Sequence, residues 1–458
     1  MNSAIALDLG STSIKVGLLD QQGRLGNIVA LPAPPVHADN GRYECDALAY
    51  AEIAEQVLGA CLAQAEGLPP LGLCSQRSSF LIWEQVSGKP VTPLISWQDT
   101  RGAESCSALQ AQEPFITGLT GLRLTPYYFA TKLRVLLRQN PQWRERLQCG
   151  ELLVGTLDTF LLWRWTGGKH YLTDASMAAR TLLLDIHQRQ WSPVLCDLFG
   201  IPLHILPAIK ASTCLNIILN NGLTLQASLA DQSAALVASV GDDGEVALVN
   251  LGTGGFVIRY LAEDYTDTNG YLRTLVYQDA TQQTHIATEG TLNSIAAALA
   301  AYPVVDCRVE DMAVNNIFCV AEPSGIGAPY FRKDPGLKFS TSIAHLPQNQ
   351  IACLLLEAIV FRVVRIVEEF HRHASIKRVY LSGGLSELGG LQQGLAQCLP
   401  FELYKLQQRD ASLQGAAMLA AGMRLAAHTA VERVLIAHPN PSLRQKHLRW
   451  KDWLDSLL

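Results

Sequence analysis

A chain of 458 residues and 49.9 kDa exceeds what one hydrophobic core usually organises, so two domains are expected. Hydrophobic residues at 48% and charged residues at 17% exclude a disordered chain, and a net charge of −5 supplies no basic footprint for nucleic acid. No apolar run approaches the about 18 residues of a membrane span, and the N-terminus enters a strand pattern at once, so neither a membrane nor an export role is expected.

In chain order, residues 4–9 and 14–20 read as a strand hairpin, 47–65 as a helix, and 70–74 and 79–84 as strands, the last closed by the turn Val86–Lys89. Residues 127–139 and 154–165 carry apolar residues at helical spacing, and Gln232–Ser239 also reads as a helix. The turn Gly241–Gly244 then precedes a second hairpin, Val246–Tyr260, and the boundary between domains is placed there. Beyond it come a helix over 290–301, an irregular Gly/Pro-rich passage at 323–331, a long amphipathic helix over 348–374 and the strand and glycine turn Arg378–Ser386. Helices over 391–398 and 412–428 follow, and then a tail from Pro439 that reads as a surface-docked helix. The expected division is 1–241, 245–438 and a tail over 439–458, and the alternation of strands and helices points to α/β layers. Eleven cysteines, an odd number without a Cys-x-x-Cys pair, read as reduced thiols in a cytoplasmic protein.

The first hairpin sets Asp8 at a strand end before Gly10, Ser11, Thr12, Ser13 and Lys15. Small residues let backbone N–H groups approach an anion, hydroxyls add donors, and Lys15 supplies charge. Asp8 itself would repel phosphate, so a carboxylate here implies an intervening Mg²⁺, bound through water because that ion dehydrates reluctantly. The same composition also makes ordinary hairpin turns. Leu251–Phe256 repeats the device with more glycine and no acid, as though two related domains grip a polyphosphate in a cleft. A third small turn, Ser382–Ser386, follows a strand and suits a nucleotide's phosphate or sugar. Asp231 opens a helix, where it reads either as an N-cap or as a catalytic base.

The ordered series Ser75-Gln-Arg77, Ile95–Arg101, Thr125-Pro-Tyr127 with Thr131-Lys132, Gly155–Thr159, Thr173-Asp174, Ala179–Thr181, Asp231-Gln232, Gly252–Gly254, Gly325–Tyr330 and Ser382–Gly384 resembles the FGGY family of carbohydrate kinases. That family belongs with the actin, Hsp70 and hexokinase ATPases, and the pattern is closest to glycerol kinases. The resemblance implies two actin-like, ribonuclease H-like α/β domains flanking an interdomain cleft, with ATP and Mg²⁺ as cofactors and a small polyol or sugar as acceptor. By position it implies that Asp8 serves Mg–ATP and that Ser11, Thr12, Ser13 and Lys15 approach the phosphates. Thr253, Gly254 and Gly384 would face the nucleotide, Asp231 would be the general base, and Arg77, Ser78, Trp97, Tyr127, Gln232 and Phe256 would line the acceptor pocket. The resemblance admits a homodimer.

Ser78 stands where glycerol kinases carry glutamate, Ala296 and Ala300 where they carry glycine and glutamine, and Leu388 where they carry asparagine. A ketopentose or a larger polyol is therefore as good a candidate acceptor as glycerol. The rival reading, a non-catalytic nucleotide switch on the same fold, needs the hairpins but neither Asp231 nor a polar pocket.

Overall fold

The first strand, β1 (Asn2–Leu9), turns through Gly10 into β2 (Ser13–Asp20) with Asp8 opposite Lys15, and β3 (Leu25–Pro32) extends the meander. A Cβ on Gly10 would lie 2.6 Å from the Ser13 carbonyl oxygen, so this turn closes only around glycine. The computed structural model describes residues 2–261, 270–407, 410–423 and 431–458.

Asp46 caps the next helix, α1 (Ala47–Leu62), by accepting from the backbone N–H groups of Leu48 and Ala49. There follow β4 (Leu71–Ser75), β5 (Phe80–Glu84), α2 (Phe129–Gln139), β6 (Leu152–Thr156), α3 (Leu157–Trp165), β7 (Thr213–Ile218), β8 (Thr224–Ala230) and α4 (Asp231–Val240). Residues 154–165, expected as one helix, are therefore the end of a strand and then a helix. The apolar run Leu152–Val154 fits either period, and cross-strand pairing with β5 decides for the strand.

One six-stranded sheet has the order β7-β8-β4-β1-β2-β3, with β1, β4 and β8 parallel. Its core runs from Ile5, Leu7 and Val16 to Tyr50, Leu73 and Phe160. A five-stranded sheet contains β5 and β6 and carries a second core around Phe80, Phe129 and Phe199.

Across Gly241 the chain enters β9 (Val246–Leu251) and β10 (Gly255–Leu261), then β11 (Leu272–Gln278) and β12 (Thr284–Leu292). The helix expected over 290–301 shrinks to Ile295–Leu299, because β12 extends to Leu292 and Ser294 takes a left-handed φ of 54°. Helix α5 (Gln348–His373) is apolar on nearly every side through Ile351–Val367 and is buried accordingly. Its two interior charges are paired: Arg362 with Glu322 at 2.7 Å, and Glu357 with Lys446 at 2.5 Å. Then come β13 (Arg378–Ser382), α6 (Gly389–Cys398), β14 (Glu402–Leu406), α7 (Ala411–Ala420), β15 (Val431–Arg433) and α8 (Pro441–Leu457). The expected helix over 412–428 ends at Ala420, and residues 424–428 lie outside the described residues.

Two compact units result. One comprises Met1–Gly241, Arg273–Ile286 and Asp410–His428, and the other Asp242–Leu272, Ala287–Arg409 and Thr429–Leu458. The division is discontinuous, since the chain re-enters the first unit twice. The second unit is built on the strand order β10-β9-β13-β14-β15, with the end of β12 beside β10, and on a core around α5. The tail helix α8 is part of that core, with Leu443, Trp450 and Leu454 buried.

Candidate active site

Three parallel strands of the first unit end side by side, with Leu9 opposite Ser75 and Ser75 opposite Ala230. The residues at those ends therefore share one carboxyl edge: Asp8 to Ser13 after β1, Gln76 to Ser79 after β4, and Asp231 with Gln232 after β8. Such edges are where open α/β sheets take their ligands.

Asp231 is the first residue of α4 and not its cap; Ala230 holds that position. Its carboxylate accepts from the Gln232 N–H at 2.7 Å and stands 3.8 Å from the Arg77 guanidinium. Burial pushes this carboxyl above the ordinary carboxylate range, while the positive charges of Arg77 and Arg180 pull it back. Gln232 is exposed. The strand end before it is held by Ser176, whose hydroxyl accepts from the Ala230 N–H at 2.8 Å and donates to the buried Asp174 at 3.1 Å.

On β1, two strands over in the sheet, burial raises the Asp8 carboxyl to about 6, opposed by the hydrogen bond that its Oδ2 accepts from Ser412 at 2.6 Å. Its Oδ1 is buried and has no hydrogen-bond partner among the described residues. Among the described residues no three or more His, Cys, Asp or Glu side chains are grouped to hold a metal. One free carboxylate oxygen fits Mg²⁺ held through its water shell, and does not fit an all-protein cage. Thr12 is exposed at the tip of the turn, with Ser11 and Ser13 half-buried beside it. Lys15 is already engaged, donating to Asp410 at 2.6 Å from a position 395 residues away in sequence.

Two aromatics of the first unit are exposed, Trp97 at 40% and Tyr127 at 46%. Large aromatic faces left open on ordered turns suit stacking against a ligand. Ser78, in contrast, is 5% exposed with a left-handed φ of 64°, and its hydroxyl donates to the Arg180 carbonyl at 3.1 Å. The loops carrying Ser78 and Ser96 are tied together by Lys132, to which the sequence reading assigned no role. This fully buried ammonium donates to the Ser78 and Ser96 carbonyls, both at 2.9 Å, and lies 5.6 Å from the Phe80 ring centroid. A lysine among the apolar positions of α2 was the available signal for it. Asp410 and Ser412 left none, because they reach the site only through the chain's late return to the first unit.

The second unit has its own small-residue edge. Strands β9 and β13 run parallel with Asn250 opposite Ser382, so the turns after them are neighbours. Thr253, Gly254 and Gly384 are exposed there, and the Thr253 carbonyl accepts from the Ala296 N–H at 3.1 Å. Gly383 has a φ of 92°, and a Cβ on it would lie 2.3 Å from the Leu251 carbonyl oxygen. Phe256, expected in the acceptor pocket, belongs to this second unit, on β10 opposite Asn250.

Two α/β units, each built round a hairpin whose first strand has a parallel neighbour, define a two-domain actin-like ATPase fold. The family model described as the FGGY family of carbohydrate kinases, N-terminal domain, matches residues 3–249, and the one for the C-terminal domain matches residues 247–423. The chain belongs to the FGGY family of carbohydrate kinases. An apulose kinase of Pectobacterium atrosepticum is 31% identical over 92% of this chain and 89% of its own length. A glycerol kinase of Ectopseudomonas mendocina is 28% identical over 99% and 98%. The structure of Plasmodium falciparum glycerol kinase with ADP superposes with a TM-score of 0.85 at 21% identity, covering 99% of this chain and 98% of that one. The protein is thus an enzyme, an ATP-dependent kinase of a sugar or polyol, and not a non-catalytic switch.

Proposed function

We propose that this enzyme transfers the γ-phosphoryl group of ATP to a hydroxyl of an acceptor other than glycerol, a ketose or a polyol of more than three carbons, with Asp231 as general base. The observation that carries this reading is the first unit's carboxyl edge, where Asp231 stands 3.8 Å from Arg77 and two strands away from the turn that follows Asp8. Asp231 takes the acceptor hydroxyl's proton as its oxygen attacks, and a carboxyl raised by burial is a stronger base for that step. Arg77 and Gln232 hold the acceptor's other oxygens, and Trp97 and Tyr127 cover its carbon face.

The backbone N–H groups and hydroxyls of Ser11, Thr12 and Ser13 serve the phosphates, and Lys15 does so once its ammonium turns from Asp410. Thr253, Gly254 and Gly384 form a small-residue edge of the kind that admits a nucleotide. Asp8 would hold Mg²⁺ through its water shell, and the ion would supply neutralisation of phosphate charge. Among the described residues no helix is long and apolar enough to cross a membrane, and all eleven cysteines are free, which suits a reducing, cytoplasmic setting.

Ser78 carries the substrate argument. A glutamate there could accept charge-assisted hydrogen bonds from two neighbouring hydroxyls, whereas the serine hydroxyl is turned away onto a main-chain carbonyl. Coupled ADP release over a panel of polyols and ketoses tests this. The wild type should favour an acceptor larger than glycerol, and Ser78→Glu should move relative kcat/KM towards glycerol by about tenfold. A wild type that prefers glycerol, or a ratio unmoved by the substitution, contradicts it.

A further inference from the structure

The turn after β1 and the loop carrying Trp97 are joined by a chain of four hydrogen bonds, all within the first unit. The Trp97 N–H donates to Ser79 Oγ at 2.9 Å, and the Ser79 hydroxyl donates to Gln76 Oε1 at 2.8 Å. Gln76 Nε2 donates to Tyr50 Oη at 3.4 Å, and the Tyr50 hydroxyl donates to the Gly10 carbonyl at 2.7 Å. The three side chains are shut off from solvent, with Tyr50 at 1%, Gln76 at 5% and Ser79 at 0% exposure, so water does not substitute for a lost link.

Proton counting fixes the direction of this chain. Each hydroxyl has one proton: that of Tyr50 is spent on Gly10, and that of Ser79 can go only to an acceptor because the Trp97 N–H already occupies its oxygen from the other side. Turning the Gln76 amide over would set two oxygens face to face at Tyr50 and leave the Ser79 proton against an NH₂ group. Only one amide orientation satisfies both ends. The backbone adds a further tie, since the Gln76 N–H donates to the Leu9 carbonyl at 3.0 Å.

We propose that Gln76 is a positioning residue that couples acceptor binding to nucleotide binding, its amide holding the Trp97 loop at one end and the Gly10 turn at the other. The proposal rests on the roles given above to Trp97 and to the turn Gly10–Ser13. A planar amide with both ends committed cannot follow one partner without moving the other, so an acceptor that settles the Trp97 loop also settles the carbonyl beside the phosphates. Tyr50 and Ser79 are the links on either side.

The test measures the affinity for a non-hydrolysable ATP analogue with and without acceptor, using glycerol and a ketopentose as acceptor probes. Full-length wild type is compared with Gln76→Met, Tyr50→Phe and Ser79→Ala, and a Tm is recorded for each. In the wild type, acceptor should tighten analogue binding by about fivefold or more, and by reciprocity the analogue should tighten acceptor binding equally. In each variant that ratio should fall to near one, while the analogue's affinity without acceptor stays within about threefold of wild type. A merely structural role would lower Tm and leave the ratio intact, and that result overturns the proposal, as does a wild type with no coupling. A wild type that releases no ADP with any acceptor in the panel would instead remove the kinase roles of the two segments, and the relay with them.

Discussion

The two hairpins, Asn2–Asp20 and Val246–Leu261, share a backbone plan and differ in chemistry. Counting back from the first glycine of each turn, Asp8 and Asn250 hold the same place, as do Leu9 and Leu251, and Gly10 and Gly252. Each first strand has an antiparallel partner and a parallel neighbour, β4 in one unit and β13 in the other. Yet the first edge carries a buried carboxylate, a paired lysine and the Arg77–Asp231 pair, whereas the second presents glycine, threonine and main chain. On the proposed reading one fold device serves two tasks: charge handling needs side chains, and close approach to a ligand needs their absence.

The largest expected effect separates the edges most sharply. Asp231→Asn should lower kcat by about 10²–10⁴ while leaving ATP affinity nearly unchanged, measured by coupled turnover and by equilibrium binding of nucleotide. Near-normal turnover would remove Asp231 from the mechanism. Next, Asp8→Asn gives the first hairpin the second hairpin's residue and should cost about 10- to 100-fold in activity at limiting Mg²⁺, with less effect on the acceptor KM. An unchanged Mg²⁺ dependence would show that the acid is structural.

On the second edge, stability and binding should part company. Gly383→Ala must move backbone to clear Leu251 and should destabilise the protein by more than about 1 kcal/mol in denaturant unfolding. Gly384→Ala meets nothing within 4 Å and should leave stability within about 0.5 kcal/mol while raising the KM for ATP. If Gly384→Ala leaves that KM alone, no nucleotide lies against the turn.

A pH-dependent effect concerns Lys132, which burial pushes down to about 7. Below that pH the folded protein holds a buried charge at a cost. Between about 7 and the unfolded value near 10.4 the unfolded chain keeps a proton that the folded one has released, so stability rises with pH. The stability difference between wild type and Lys132→Met should therefore move in favour of wild type from pH 7 to 10, by at most about 1.4 kcal/mol per pH unit. A flat difference would mean that the lysine titrates normally.

Much of this was legible in the sequence where the signal is local. The strand–turn–strand pattern around Gly10 and Gly252, the helix from 348 and the acid at the start of α4 all depend on residues a few positions apart. What was not legible depends on long-range return. Lys15 was read as a free phosphate ligand, yet it meets Asp410 from the segment that re-enters the first unit. Nothing in composition marks 273–286 or 410–428 as belonging with residues 1–241. Ser78 read as a short group opening into the pocket, and only its left-handed backbone turns that hydroxyl onto Arg180.

The most direct measurement is single-turnover transfer from γ-³²P-labelled ATP to the best acceptor of the panel, by wild type and Asp231→Asn at matched, saturating ATP. The wild type should yield a labelled sugar or polyol phosphate, and the variant should bind ATP with wild-type affinity while forming that product at least about 10²-fold more slowly. Equal rates in the two proteins, or label released only as inorganic phosphate by the wild type, would contradict a kinase in which Asp231 activates the acceptor hydroxyl.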